Sequence, residues 1–267
     1  MSRIHKKFAE LKKKNQKALI PFITAGYPNL KKTAELICSL EENGADLIEL
    51  GVPFSDPLAD GPVIQASSKK SLEKGTTLKK ILALVKNTRP KTQIPILLMG
   101  YLNPILHYGL RAFAKQAQAA GVDGLIVADL PPDEGKEISS LMHKHDIDLV
   151  YLLAPTSDEA RLKKVVNASR GFVYYVSMTG VTGMKNRFSG SLYENISRAK
   201  KKTQLPICVG FGISVPADAK AVARSADGVI IGSALVKELL RYPNMPAGLF
   251  SRKFLRPFSE ALGKETR

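Results

Sequence analysis

Cysteine is scarce in this chain: Cys38 and Cys208 are its only two, each inside an apolar segment. That excludes a disulfide framework and fits two buried thiols in a reducing compartment. The amino-terminal stretch MSRIHKKFAELKKKNQK lacks an apolar core and so does not read as a secretory signal. Long apolar runs are missing as well. The longest uncharged stretch, residues 92–110, is broken by Pro95, Gly100, Asn103, Pro104 and Gly109, which suits strand, turn and helix rather than a membrane span. A soluble, cytoplasmic protein is expected.

Chemical signatures are absent too. The four histidines, His5, His107, His143 and His145, share no metal-ligand spacing, and no Cys/His cluster, P-loop or nucleophile elbow occurs. No metal site is expected. Acidic residues are outnumbered, 24 against 40 Lys+Arg, giving a net charge of +16. The excess lies at Lys6–Lys17, Arg198–Lys202 and beyond Arg252, without aromatic interleaving or a nucleic-acid motif. A solvated basic surface is therefore expected, able to attract phosphorylated substrates or an acidic partner, and not a nucleic-acid footprint.

What is present is a rhythm. Apolar, branched runs occupy 18–26, 46–52, 95–101, 124–130, 148–155, 172–177, 206–213 and 228–235. Their near-continuous apolarity marks strands buried on both faces. Amphipathic helix patterns at 30–44, 109–124, 133–148, 157–168, 191–203 and 215–225 separate them. Eight strands alternating with helices predict a (β/α)8 TIM barrel, preceded by an additional amino-terminal helix, as one domain over 1–267. A doubly wound sheet would need a Gly-rich first turn, and TAGYPN is not one.

Barrel enzymes keep their chemistry at the carboxyl ends of the strands. Glu49 lies within the run DLIELGV, and no Lys or Arg occurs in the first four strand runs to neutralise it. Desolvation raises the pKa of such a carboxyl by up to ~3–5 units, which suits a proton donor and acceptor near neutral pH. Asp60, in the loop PFSDPLADGPVIQ that follows, brings a second carboxylate within reach of the same pocket. Glycine pairs in TGVTG, GFGIS and IGSAL end the last three strands, where backbone N–H groups and a helix start favour phosphate. Tyr174 and Tyr175 are adjacent in a strand, so one faces inward; the pattern alone does not say which.

The stretch LIELGVPFSDPLADGPVIQ closely resembles the signature of the tryptophan synthase α subunit, and PFITAGYP, VADLP, GVTG, GFGIS and GSALVK extend the likeness over nearly the whole chain. The resemblance implies a lyase that cleaves indole-3-glycerol phosphate to indole and glyceraldehyde 3-phosphate, a retro-aldol reaction without a cofactor, in tryptophan biosynthesis. It implies Glu49 as general acid/base, Asp60 as the carboxylate that stabilises charge on the indole nitrogen, and Tyr174 as the active-site tyrosine. It gives phosphate contacts to Gly183, Gly212, Gly232 and Ser233, and an indole pocket to Phe22, Leu98, Ile126, Ala128, Leu152 and Phe211. Thr182 would tie a mobile loop, 179–191, to Asp60, with Lys185 and Arg187 in a lid. It also implies a pyridoxal-phosphate-dependent β subunit as partner in an α2β2 heterotetramer, facing loops 53–60 and 179–191 and the segment near Asn103–Pro104. The alternatives are a non-catalytic activator of that subunit and another phosphate-binding barrel enzyme. Indole-3-glycerol phosphate synthase would need a strand-end lysine, which the strand runs lack.

Overall fold

The computed structural model describes residues 2–177 and 190–264. Its nine strand segments are β1 (Ala18–Thr24), β2 (Ile48–Gly51), β3 (Ile96–Gly100), β4 (Gly124–Val127), β5 (Asp148–Val150), β6 (Leu152–Leu153), β7 (Val173–Val176), β8 (Ile207–Gly210) and β9 (Gly228–Ile231). Every pairing is parallel, in the order β5-β4-β3-β2-β1-β9-β8-β7-β6. The sequence predicts eight strands; the ninth arises because Tyr151 divides the fifth. Its amide donates to the Ser169 hydroxyl at 3.3 Å instead of continuing the ladder. β5 and β6 are consecutive in the chain, so the two ends of the sheet meet and the (β/α)8 barrel closes.

Between and after the strands come α1 (Arg3–Lys13), α2 (Leu30–Glu42), α3 (Pro62–Glu73), α4 (Leu78–Thr88), α5 (Leu102–Tyr108), α6 (Leu110–Ala120) and α7 (Lys136–Lys144). They are followed by α8 (Glu159–Ala168), α9 (Gly190–Lys200), α10 (Pro216–Ala223), α11 (Ser233–Arg241), α12 (Ala247–Phe254) and α13 (Arg256–Ala261). Local signals fix their starts. Ser2, Asn29, Thr77 and Asp158 accept backbone N–H bonds in the first turns of α1, α2, α4 and α8. Pro62 opens α3, where its missing N–H is no loss.

Alternation along the strands sorts side chains into two layers. The outer layer, between strands and helices, holds Leu19, Ile23, Ile48, Leu50, Ile96, Leu98, Leu125 and Tyr175 among many others. The inner layer, inside the ring, holds Ile20, Phe22, Leu47, Leu97, Met99, Ile126, Phe172 and Tyr174. Ile4, Phe8 and Leu11 of α1 belong to that inner cluster, and the Phe8 and Phe172 rings lie 5.9 Å apart. The expected additional helix is therefore a plug at the amino ends of the strands.

Aspartates brace the same end. Asp46 accepts the Leu19 amide at 2.7 Å, Asp123 that of Ile96 at 2.9 Å and Asp227 that of Ile207 at 3.0 Å. Each also meets a cation: Lys264 at Asp46, Arg89 at Asp123 and Lys200 at Asp227. Burial and pairing act together here, because a carboxylate shut away from water needs both donors and counter-charge.

Candidate active site

A cavity of about 270 Å³ opens at the carboxyl ends of the strands. Glu49 forms part of its wall from β2, fully buried, and neither carboxyl oxygen has a hydrogen-bond partner. The reason it points inward is register. Glu49 pairs with Phe22 of β1 on one side and Leu97 of β3 on the other, and both belong to the inner layer. Burial drives its pKa well above the ordinary carboxylate range, which favours the protonated acid.

Asp60 reaches the cavity from the loop between β2 and α3. Desolvation lifts its pKa to about 6, opposed by a hydrogen bond from Tyr101. The two carboxyls thus occupy one cavity with different proton affinities, both raised and Glu49 the more completely buried. Burial first, then the proximity of the Glu49 carboxyl, push the Tyr174 phenol well above the ordinary tyrosine range. Tyr175, the next residue, faces the outer layer.

The far wall is apolar and tightly built. Phe211 follows β8 with φ 72°, a left-handed backbone uncommon for a non-glycine residue, and its ring stands 6.2 Å from that of Tyr174. Gly51 and Gly210 leave room for the aromatic walls. A Cβ at Gly51 would lie 2.4 Å from the Phe22 ring, and one at Gly210 would lie 2.3 Å from the Tyr174 hydroxyl. Gly212, Gly232 and Ser233 line the opposite rim, with Ser233 opening α11. Free N–H groups and the helix dipole at that start favour an anion.

Phe22, Glu49, Asp60, Tyr174, Phe211, Gly212, Gly232 and Ser233 therefore meet around one cavity. Leu98 does not join them. It is buried in the outer layer beside Leu50, and its neighbour Met99 lines the cavity instead. Both faces of β3 are apolar, so its sequence carries no mark of which side is inside; register with Glu49 supplies it. Ile126 and Leu152 belong to the inner cluster without lining the cavity, and Ala128 is half-buried at the end of β4. Ile64, Ile213 and Ile230 also line the cavity, where the sequence gives no sign of them. Thr182, Gly183, Lys185 and Arg187 lie outside the described residues.

Comparison with known proteins gives one answer. A sequence profile for the family described as Tryptophan synthase alpha chain matches residues 8–252. The chain is 52% identical over 263 residues to the tryptophan synthase alpha chain of Geobacter sulfurreducens, spanning 98% of this chain and 100% of that one. It is 54% identical over 237 residues to that of Geotalea uraniireducens, spanning 89% of each. The solved tryptophan synthase subunit alpha from Legionella pneumophila is similar with a TM-score of 0.91 at 38% identity, over 98% of this chain and 99% of that one. An aminoacrylate-bound tryptophan synthase from M. tuberculosis gives a TM-score of 0.87 at 35% identity, over 98% and 100% of the two chains.

Proposed function

The chain belongs to the tryptophan synthase alpha chain family, and from that premise we propose how its cavity cleaves indole-3-glycerol phosphate in tryptophan biosynthesis. It is a lyase, and the reaction releases indole and glyceraldehyde 3-phosphate. Glu49, neutral before reaction, gives its proton to ring carbon 3. As the bond from that carbon to the glycerol chain breaks, the new Glu49 carboxylate takes the proton of the chain hydroxyl, and the acid is restored. Protonating the ring places positive charge on its nitrogen, and the Asp60 carboxylate stabilises that charge as it develops.

The ring is held by Phe22, Ile64, Met99 and Phe211, with Tyr174 beside the reacting carbons. Gly212, Gly232 and Ser233 take the phosphate, together with Gly183. The observation that carries this reading is the fully buried Glu49 carboxyl without a hydrogen-bond partner, in one cavity with an Asp60 of different acidity. A structural carboxyl would have a partner.

The proposed partner is a tryptophan synthase β subunit, in an α2β2 assembly in the cytoplasm. Support comes from apolar side chains exposed on the segments that follow β2 and β3: Leu58, 86% exposed, lies two residues before Asp60, and Leu106, 52% exposed, lies on α5. None of the helices among the described residues is long and apolar enough to cross a membrane. The test is indole release from indole-3-glycerol phosphate, with and without a β subunit. Release by the chain alone, increased by the β subunit, is expected. No release under either condition would overturn the reading.

A further inference from the structure

The reaction as outlined leaves unused a polar group that stands beside the loop carrying Asp60. Tyr101 ends β3 and stands at the N-cap of α5, its ring 5.4 Å from that of Phe54. Its hydroxyl oxygen accepts the Ala59 amide at 3.0 Å. That bond holds the loop residue next to Asp60, and the phenol, with one lone pair engaged, has its proton left to interact with the neighbouring Asp60 carboxyl. The tyrosine is itself buried, and α5 is anchored by the Leu102 amide donating to Asp129 at 2.9 Å. The donor is thus fixed from three sides: by the Ala59 amide, by the Phe54 ring and by the capped helix that follows it.

We propose that Tyr101 is the positioning residue for Asp60, its hydroxyl orienting the carboxylate in the cavity and stabilising its ionised form. The inference rests on the reading that Asp60 supports charge on the indole nitrogen. Among the described residues no cation pairs with Asp60, and Tyr101 is the side chain that favours its ionised form. A neutral donor suits the task better than Lys or Arg would. A cation would cancel the negative potential that the developing charge needs, whereas a phenol orients the carboxylate and leaves its charge available. The other titratable groups facing this pair are Glu49 and Tyr174 across the cavity and Asp129 at the end of β4. Burial, with Asp60 and Asp129 nearby, raises the Tyr101 pKa far beyond working pH, so it remains a donor throughout.

The test is Tyr101→Phe, which keeps the ring against Phe54 and removes the hydroxyl. In the unaltered chain kcat/KM for indole release falls on the acid side as Asp60 takes up a proton. Without the phenol, that midpoint moves to higher pH by about one unit, giving a loss of about 5-fold at pH 6 and almost none at pH 8.5. A merely structural tyrosine would lower activity by one factor at both pH values, and that result, or no loss at either, would overturn the inference. Tyr101→3-fluorotyrosine is the isosteric companion: its stronger donor moves the midpoint to lower pH, and an unmoved or raised midpoint counts against the proposal even if the Phe variant folds poorly. An unaltered chain that releases no indole at any pH would overturn the underlying reading. A pH-independent loss in an active enzyme overturns only the role of Tyr101.

Discussion

Phe22 and Glu49 are register partners across β1 and β2, so an aromatic ring and an uncompensated carboxyl stand side by side on the inner face of the barrel. Apolar surface around the acid is what holds its proton in place. Replacing Glu49 with Gln keeps the shape and removes the exchangeable proton. Indole release from indole-3-glycerol phosphate is expected to fall by about 10³-fold or more, with a thermal transition close to that of the unaltered chain. Near-normal turnover in Glu49→Gln would be incompatible with its role as the acid.

Asp60 carries its charge at the expense of stability. Its folded pKa of about 6 lies above the ordinary value of 3.8. Between those pH values the folded chain binds more protons than the unfolded one, so stability falls as pH rises through that window and the deficit is complete above it. Asp60→Asn removes the deficit. At pH 7.5 it is expected to stabilise the chain by about 1–3 kcal/mol in urea unfolding, an advantage that disappears below pH 4. The same variant is expected to lose about 10²–10³-fold in rate. A stability difference that is the same at pH 4 and pH 7.5 would show that Asp60 is not desolvated in solution.

The aromatic walls depend on two missing side chains. A methyl at Gly51 meets Phe22, and one at Gly210 meets Tyr174, each at a separation no real Cβ tolerates. The rings must then swing into the cavity or the strands must part. Gly51→Ala and Gly210→Ala are each expected to raise KM about 10-fold, with an overpacking cost of about 1–3 kcal/mol. An unchanged KM in both would mean that the walls yield outward.

At the opposite end, Lys264 comes from beyond α13 to pair with Asp46, both largely buried. Removing one member strands the other: Lys264→Met leaves the carboxylate with the Leu19 amide but no counter-charge. A loss of about 3 kcal/mol is expected in urea unfolding at pH 7.5, with the kcat for indole release retained, since the pair is remote from the cavity. A loss under 0.5 kcal/mol, on the order of an exposed pair's worth, would show that the pair is solvated.

Much of this architecture is legible in residue order, because an acid amid Leu, Ile and Gly breaks a pattern that physics otherwise enforces. Glu49 and Asp60 stand out for that reason, as do the glycines ending the last strands. What stays hidden is which face of a doubly apolar strand looks inward. In ILLMG either Leu98 or Met99 could face the ring, and only pairing with a strand of known orientation decides for Met99. The role of Tyr101 is hidden in the sequence for a different reason. Its partners, Ala59 and Asp60, are some forty residues away in sequence, and a tyrosine at a strand end reads as packing. The bracing aspartates do leave a trace, in ADL, VDG and ADG just before three strands, but a short acidic repeat is as compatible with turns as with clamps.

With Ile4 and Phe8 seated in the ring's interior, the barrel is a vessel corked at its base. Among the described residues the cavity opens at the opposite end, at the carboxyl ends of the strands. Any protein that fits over that end decides whether a released aromatic product escapes into water or is handed on.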